Sequence, residues 1–287
     1  MRFVTYATTD GDRAGADRVG VINGDLIHGL PDGTSLIELL GSTLRQAGRH
    51  ALAEPADVVA PADVTLKAPL PRPPSIRDCL CFLDRMRACR KAVGDTGPLE
   101  RTCYQIPAFY FANPATVTGP HDEVPISPGS AWLDFELEIA AVIGTAGRDL
   151  TPQQAEGHIA GYTLFCDGSA RDLQGLEGQL KIGQAKGKDG ASTLGPWLVT
   201  PDELPFDLDG RLALQVRAEV NGELVGTGRT ESMDWTFGEA DLVKPNGLFG
   251  KVYMAAIRPL RHLIVDPALM RMIGRAWRVP ADGHQAG

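Results

Sequence analysis

The sequence has no apolar stretch close to the length of a membrane span and no surplus of positive charge. Lys and Arg total 28 against 36 Asp and Glu, so the net charge is −8. A transmembrane helix needs about 20 predominantly apolar residues, and a negative net charge opposes nonspecific attraction to nucleic acid or anionic lipid. The N-terminus also lacks the pattern of a signal peptide. We therefore predict a cytoplasmic protein that binds neither nucleic acid nor membrane.

Cysteine is scarce, and its spacing matches no zinc-binding template. The chain has five cysteines, an odd number that favours free thiols in a reducing compartment over a disulfide framework: Cys79, Cys81, Cys89, Cys103 and Cys166. Phosphate-binding sequences such as G-x-x-x-x-G-K-[ST] are also missing. These absences exclude a disulfide-stapled domain and a nucleotide-binding P-loop protein.

Local signals in the first segment predict a small β-rich unit. Asn23-Gly24 lies between two apolar runs, a pattern typical of a β-hairpin, and Asn221-Gly222 repeats it late in the chain. A helix is predicted from about Ser35 to Ala47, with Ser35 as the N-cap and Glu38 completing a capping box.

A proline-rich segment marks the best domain boundary. Residues 67–75 read KAPLPRPPS, and four prolines in this segment cannot lie inside a helix or a central strand. We predict a small N-terminal β-rich domain over residues 1–70 and a larger domain over residues 71–287. Several short runs with strand character follow the boundary, so an α+β fold that is mostly β is expected.

Two acidic segments are candidates for a functional site. Asp134-Phe135-Glu136-Leu137-Glu138-Ile139 alternates strictly, so a strand there places its acids on one face. If that face is open to water, the pattern indicates only an amphipathic edge strand. If it faces a cavity, protons or a cation must relieve the repulsion between the carboxylates. Asp167 follows an apolar strand and precedes a polar turn, where it either caps a turn or enters a site.

Four segments together resemble one enzyme family. DFELEIAAVIG, GYTLFCDGSARDLQ, KGKDGASTLGPWLVT and VNGELV occur in the order and spacing of the core signature of the fumarylacetoacetate hydrolase family. The resemblance covers roughly residues 76–239. It implies a mixed β-sandwich or β-roll catalytic domain, a homodimer, and a small oxo-acid or dicarbonyl substrate.

The resemblance also implies the roles of particular residues. The matching metal ligands are Glu136, Glu138 and Asp167, with Asp78 as a further acid, and an all-oxygen set suits Mg, Mn or Ca, of which Mg is favoured. Residues with implied substrate-binding roles are Tyr110, Arg171, Gln174 and Lys186. Arg171 and Lys186 have the charge to hold a carboxylate or an enolate oxygen, and Lys186 is a candidate catalytic residue.

The chain departs from the family pattern in two places. Hydrolytic relatives have a histidine that activates water, whereas here RDCLCFLDR places Arg85 at that position, and arginine stays protonated and cannot act as the same base. After Glu239 the family's glycine-rich motif is missing. The C-terminal part from about residue 240 is therefore either a divergent end or the product of a shifted reading frame.

Two classes of function remain after these departures. The first is a metal-dependent enzyme that stabilises an enolate, with carbon-carbon bond hydrolysis as the family's best-known outcome and decarboxylation, hydration, isomerisation or ring closure as alternatives. Arg85 is then a candidate catalytic residue that binds a carboxylate or an enolate. The second is a catalytically impaired relative that serves as a binding or assembly unit. The clustered acids favour the enzyme.

Overall fold

A computed structural model describes residues 1–8, 15–92, 94–180 and 183–240. Most of its regular structure is strand. The strands in these ranges are β1 Arg2–Thr8, β2 Asp17–Asn23, β3 Leu26–Gly29, β4 Val58–Val59, β5 Val64–Lys67, β6 Ile76–Cys79, β7 Phe109–Ala112, β8 Val117–Thr118, β9 Leu133–Ile143, β10 Ile159–Ala170, β11 Ser192–Val199, β12 Gln215–Val220 and β13 Glu223–Arg229. The mostly β fold class predicted from the sequence is confirmed.

One nine-stranded sheet organises the described chain. Its main path runs β4-β3-β2-β1-β11-β10-β9, while β5 pairs with β1 and β8 pairs with β11. Strand β1 pairs with β11 through Arg2 and Phe3, and with β5 through Thr5 to Thr8. The strands from residues 1–70 therefore share a sheet with the strands that carry the acidic motifs. The domain boundary itself stays a prediction. Residues 68–75, where it was placed, contain neither helix nor strand.

Both predicted hairpins are present. Strands β12 and β13 turn at Asn221 and Gly222, whose φ angles of 52° and 82° are those that a two-residue turn requires and that Asn and Gly tolerate. Strands β2 and β3 pair up to Asn23 and Leu26. Their turn is therefore Gly24-Asp25, one residue later than the Asn-Gly signal predicts.

The helices are short and lie between strands. They are α1 Leu36–Leu39, α2 Leu44–Ala53, α3 Leu83–Ala92, α4 Pro152–Glu156, α5 Arg171–Gly178 and α6 Phe237–Ala240. The prediction of a single helix from Ser35 to Ala47 is wrong, because the structure has two helices there, α1 and α2, separated by a turn. Ser35 also makes no side-chain cap hydrogen bond. Gly41 has a φ of +90°, and a Cβ there would lie 2.9 Å from the Gly144 carbonyl oxygen.

The sheet positions the site through three connections. Strand β10 lies between β9 and β11, and helix α5 begins at the residue that follows β10. The two-stranded sheet β6-β7 pairs Asp78 with Tyr110. Phe165, Leu194 and Ala68 form a buried cluster that anchors the strands beside the acidic motif.

None of the helices in the described ranges has the length and apolar character that a membrane span requires. The prediction of a divergent C-terminal part from about residue 240 lies outside the described residues.

Candidate active site

Three carboxyl groups from three strands meet at one point. In the sheet Asp167 of β10 lies opposite Glu136 of β9, so their side chains leave the same face as cross-strand neighbours. Asp78 of β6 completes the group, and one oxygen from each of the three lies within 4.8 Å of the others. The alternating acidic strand therefore faces a cluster and not only solvent.

Asp167 is the buried centre of this group. Its side chain is 0% exposed. Its Oδ2 atom accepts hydrogen bonds from the Lys188 ammonium and from the Tyr110 hydroxyl at 2.5 Å, whereas its Oδ1 atom has no hydrogen-bond partner among the described residues. A buried carboxylate oxygen without a partner is costly. Oδ1 is therefore an atom whose desolvation a cation would offset.

Tyr110 links Asp167 to Asp78. Its hydroxyl also lies 2.8 Å from the Asp78 Oδ2 atom, yet a hydroxyl has a single proton to donate. Burial and the negative charge of Asp167 raise the pKa of Asp78 to about 6. A protonated Asp78 can donate to the Tyr110 oxygen while Tyr110 donates to Asp167, so both contacts are satisfied at acidic pH.

Three cationic side chains converge on Glu136. Its Oε1 atom lies 2.8 Å from Arg85 Nη2, 2.7 Å from Arg171 Nη1 and 3.3 Å from Lys188 Nζ. Burial opposes ionisation of Glu136, but Lys188, Arg85 and Arg171 outweigh it and lower its pKa to about 2. Glu136 is therefore a carboxylate at every ordinary pH.

Arg171 is fixed in place by partners on both sides. Its Nε atom donates to Asp134 Oδ2 at 2.7 Å and its Nη1 atom donates to Gln174 Oε1 at 3.0 Å. Because Arg171 starts α5 directly after β10, the strand-to-helix junction delivers both Asp167 and Arg171 to the site.

Glu138 lies on the same strand face but one row further along, opposite Phe165. Burial, followed by the negative charges of Asp78, Glu136 and Asp167, raises its pKa to about 9. Repulsion within the site is therefore relieved by protons when no cation is bound.

The charges at the site favour a divalent cation. Five carboxyl groups, Asp78, Asp134, Glu136, Glu138 and Asp167, lie with the cations Arg85, Arg171 and Lys188. Full ionisation leaves an excess of two negative charges. Together with the partnerless Oδ1 atom of Asp167, this all-oxygen set fits a hard cation such as Mg, Mn or Ca.

Comparison with known proteins decides the family. The profile of the fumarylacetoacetate (FAA) hydrolase C-terminal family matches residues 75–240, more than half of the chain and every residue of the site. The chain belongs to the fumarylacetoacetate hydrolase family. Members similar to it are enzymes, among them a tautomerase and a hydrolase.

Individual relatives support the family assignment at moderate identity. A mitochondrial oxaloacetate tautomerase of Homo sapiens is 32% identical over 211 residues, which cover 73% of this chain and 62% of that protein. A 2,4-didehydro-3-deoxy-L-rhamnonate hydrolase of Sphingomonas sp. is 37% identical over 129 residues, 44% of this chain and 43% of that protein. The chain thus spans less than two thirds of the length of these relatives.

A solved structure shows the same fold. The fumarylacetoacetate hydrolase of the psychrophile Exiguobacterium antarcticum superposes with a TM-score of 0.58 at 28% identity, covering 83% of this chain and 79% of that one.

The structure brings most residues implied by the family resemblance to the cluster, and the lysine that contacts the carboxyls is Lys188, while the catalytic role of Lys186 stays a prediction. Lys186 is exposed, and its backbone N–H donates to Glu177. Lys188, which the sequence interpretation missed, is 2% exposed and contacts both Asp167 and Glu136. Both lysines lie in the segment KGKDG, so the sequence signal was present but could not distinguish them.

The pH dependence of cation binding follows from the carboxyl groups of this family member. The pKa of Glu138 is 4.5 ordinarily and about 9 when folded without metal, so its contribution to stability is lost as pH rises through that interval. The pKa of Asp78, raised from 3.8 to about 6, acts in the same direction at lower pH. A divalent cation favours the ionised forms and competes with these protons.

We therefore expect Mg²⁺ to raise the melting temperature more at about pH 8.5 than at about pH 5.5. Thermal denaturation with and without Mg²⁺ at both pH values measures this. Glu138→Gln should reduce the difference between the two. An equal rise at both pH values in the parent protein would contradict the charge balance described above.

Proposed function

We propose that this chain is a divalent-metal-dependent enzyme that interconverts the keto and enol forms of a small 2-oxo acid or 1,3-dicarbonyl compound. The observation that carries this proposal is the carboxyl cluster of Asp78, Glu136 and Asp167 beside two guanidinium groups. Glu138 is not among the three carboxyls that lie within reach of one ion, but it is partly buried and interacts electrostatically with all three. Together with the buried Oδ1 atom of Asp167, it could supply a further oxygen ligand. Mg²⁺ is the favoured cation, with Mn²⁺ or Ca²⁺ as alternatives.

The protein's own groups suit an anionic substrate. A divalent cation held by these oxygens would supply Lewis-acid polarisation of a keto oxygen. Arg171 offers a guanidinium fixed by Asp134 and Gln174, which can pair with a substrate carboxylate. Arg85 lies on α3 with a side chain that is 45% exposed, so it can move between Glu136 and a substrate. Lys188 stays buried and holds Asp167 and Glu136 in position.

Tautomerisation fits these groups better than hydrolysis. A carboxylate of the cluster would accept the proton that leaves the carbon beside the keto group, and a proton is added to the keto oxygen, so no water is consumed. Hydrolysis needs a base that activates water, and Arg85 stands where hydrolytic relatives place a histidine. Among the described residues, none of the hydrogen bonds or ion pairs of the three clustered carboxyls involves a histidine. The human relative named an oxaloacetate tautomerase agrees with this preference.

The direct test is a metal-dependent assay on two substrate types. The rate at which the enol form of oxaloacetate disappears and the rate at which an acylpyruvate is cleaved would be measured with Mg²⁺, with Mn²⁺ and with a chelator. We expect metal-dependent tautomerisation and weak cleavage. Efficient cleavage by the unmodified chain, without tautomerisation, would overturn the proposal.

Carbon-carbon bond hydrolysis is the second candidate function. The Sphingomonas relative named a rhamnonate hydrolase favours it. The variant Arg85→His would place a base at the position of the family histidine, and general-base catalysis raises reaction rates by about 10²–10⁴-fold. We expect this variant to gain cleavage of an acylpyruvate by at least about 10-fold over the parent, as measured by steady-state kinetics. Arg85→Gln is the control, because it removes the charge without supplying a base. Equal gains in both variants would mean that loss of charge, and not a new base, causes the effect.

A homodimer, as the family resemblance implies, is part of this proposal. The sheet face opposite the carboxyl groups leaves Leu133, Phe135 and Leu164 about two fifths exposed, at 39%, 38% and 45%, and exposed apolar side chains on one sheet face favour association. Light scattering at several protein concentrations tests it, and a monomer at all of them would contradict it.

A further inference from the structure

Lys188 reaches the carboxyl cluster from a short 3₁₀ turn, Lys186–Lys188. Among the described residues, the backbone hydrogen bond inside this turn runs from the Lys188 N–H to the Ala185 carbonyl at 3.2 Å, so few contacts within the turn fix its orientation. The buried ammonium therefore depends on what fixes the turn from outside.

Glu177 of helix α5 fixes the turn. Its Oε1 atom accepts from the Lys186 backbone N–H at 2.7 Å, and its Oε2 atom accepts from the Gly187 backbone N–H at 2.6 Å. Both oxygens of one carboxylate thus hold two consecutive amides. Hydrogen bonds to a charged acceptor are stronger than neutral ones, and the paired geometry adds orientation.

Gly187 allows this close approach. A Cβ at Gly187 would lie 2.7 Å from the Gln174 Cβ atom and 2.8 Å from its backbone N and Cα atoms. Real Cβ atoms do not come so close to a helix backbone, so a larger residue must push the turn away from α5. The turn is therefore held against α5 both by packing and by the Glu177 carboxylate.

We propose that Glu177 is a positioning residue that keeps the Lys188 ammonium between Asp167 and Glu136. The hydrogen bonds of the Glu177 carboxylate go to the backbone of the turn and not to the carboxyl cluster, so Glu177 acts through the turn. The placement of Lys188 stands on geometry alone. Its consequence for catalysis rests on the proposed function.

Chemical labelling of lysines tests the placement without any assay of activity. An N-hydroxysuccinimide ester acylates exposed amines, and peptide mass spectrometry gives the rate at each lysine. In the parent protein Lys188 should label slowly, whereas Lys186, two residues away and exposed, should label fast. Glu177→Ala should raise the Lys188 rate by at least about 10-fold while the Lys186 rate stays within about twofold.

Two further variants guard against a simple loss of folding. Glu177→Gln keeps one acceptor oxygen, so its Lys188 rate should lie between those of the parent and the alanine variant. Gly187→Ala should also raise the Lys188 rate, because it displaces the same turn by packing. Unchanged protection of Lys188 in all three variants would overturn the proposal. A rise shared by Lys67 would show that Glu177 supports the whole fold, and it would overturn the proposal too.

A double-mutant cycle tests whether Glu177 affects catalysis through Lys188 or independently of it. If Glu177 acts through Lys188, Glu177→Ala should lower kcat in the parent but have little effect in a Lys188→Met background. Additive losses would contradict action through Lys188. If Lys188 becomes reactive in Glu177→Ala but the parent shows no tautomerase activity, the positioning stands and the proposed function fails.

Discussion

Replacing Lys188 with methionine is expected to lower the free energy of unfolding of the metal-free protein by about 3 to 5 kcal/mol, the usual cost of removing one partner from a buried ion pair. Lys188 is 2% exposed and its ammonium contacts Asp167, which is 0% exposed, and Glu136. Methionine keeps much of the length and removes the charge, so two carboxylates lose a buried partner. Denaturant unfolding measures the change. Mg²⁺ should restore part of it, because a cation again offsets the carboxylates.

Lys186→Met is the matched control for this prediction. It removes the same charge two residues away from an exposed position, so we expect a change within about 0.5 kcal/mol and near-normal activity. The opposite result, with Lys186→Met inactive and Lys188→Met unaffected, would identify Lys186 as the catalytic lysine, as the sequence resemblance implies.

Replacing Asp167 with asparagine is expected to abolish stabilisation by Mg²⁺ and to reduce metal-dependent turnover by more than about 100-fold, since even residues behind the metal ligands commonly matter by 10- to 100-fold. Asparagine has the same shape but lacks the negative charge, and the Lys188 ammonium then faces an amide. The thermal shift on adding Mg²⁺ and the steady-state rate measure the two effects.

The control for Asp167→Asn is Asp25→Asn, which makes the same charge change at the exposed turn between β2 and β3. It should leave both measurements unchanged. A normal Mg²⁺ shift in Asp167→Asn would mean that the cation binds without this carboxylate.

The acidic strand was predictable from the sequence because its signal is local. Strict alternation from Asp134 to Ile139 predicted a strand with its acids on one face, and β9 confirms it. The environment of that face was not predictable from alternation. It depends on β10 lying alongside and on β6-β7 bringing Asp78, which are contacts between segments distant in sequence.

The turn at Asn221 and Gly222 was predicted from local sequence, whereas the helix at Ser35 was not predicted correctly. Asn221 and Gly222 occupy the turn that their residue types predict, because positive φ angles are a local preference. The helix predicted from Ser35 is interrupted at Gly41, whose φ of +90° is not helical. Gly41 also lies close to the Gly144 carbonyl, more than a hundred residues away along the chain, and no local pattern indicates that contact.

The identity of the buried lysine is the clearest example of a feature that could not be predicted from the sequence. Lys186 and Lys188 have the same chemistry and nearly the same neighbours in sequence. Only the 3₁₀ turn, held by Glu177, directs Lys188 inward and leaves Lys186 exposed. Arg85 was placed near the site by family resemblance, while its 2.8 Å contact with Glu136 depends on where the tertiary structure places α3.

Crystals grown with Mn²⁺ would show whether the carboxyl cluster binds a divalent cation, because anomalous scattering locates the ion without reference to activity. We expect one strong peak at roughly 2.0 to 2.6 Å from carboxylate oxygens, the range for hard cations with oxygen ligands, with Glu136 and Asp167 among the ligands and Asp78 or Glu138 beside them. A fully occupied peak elsewhere, or no peak at this cluster at saturating Mn²⁺, would contradict it.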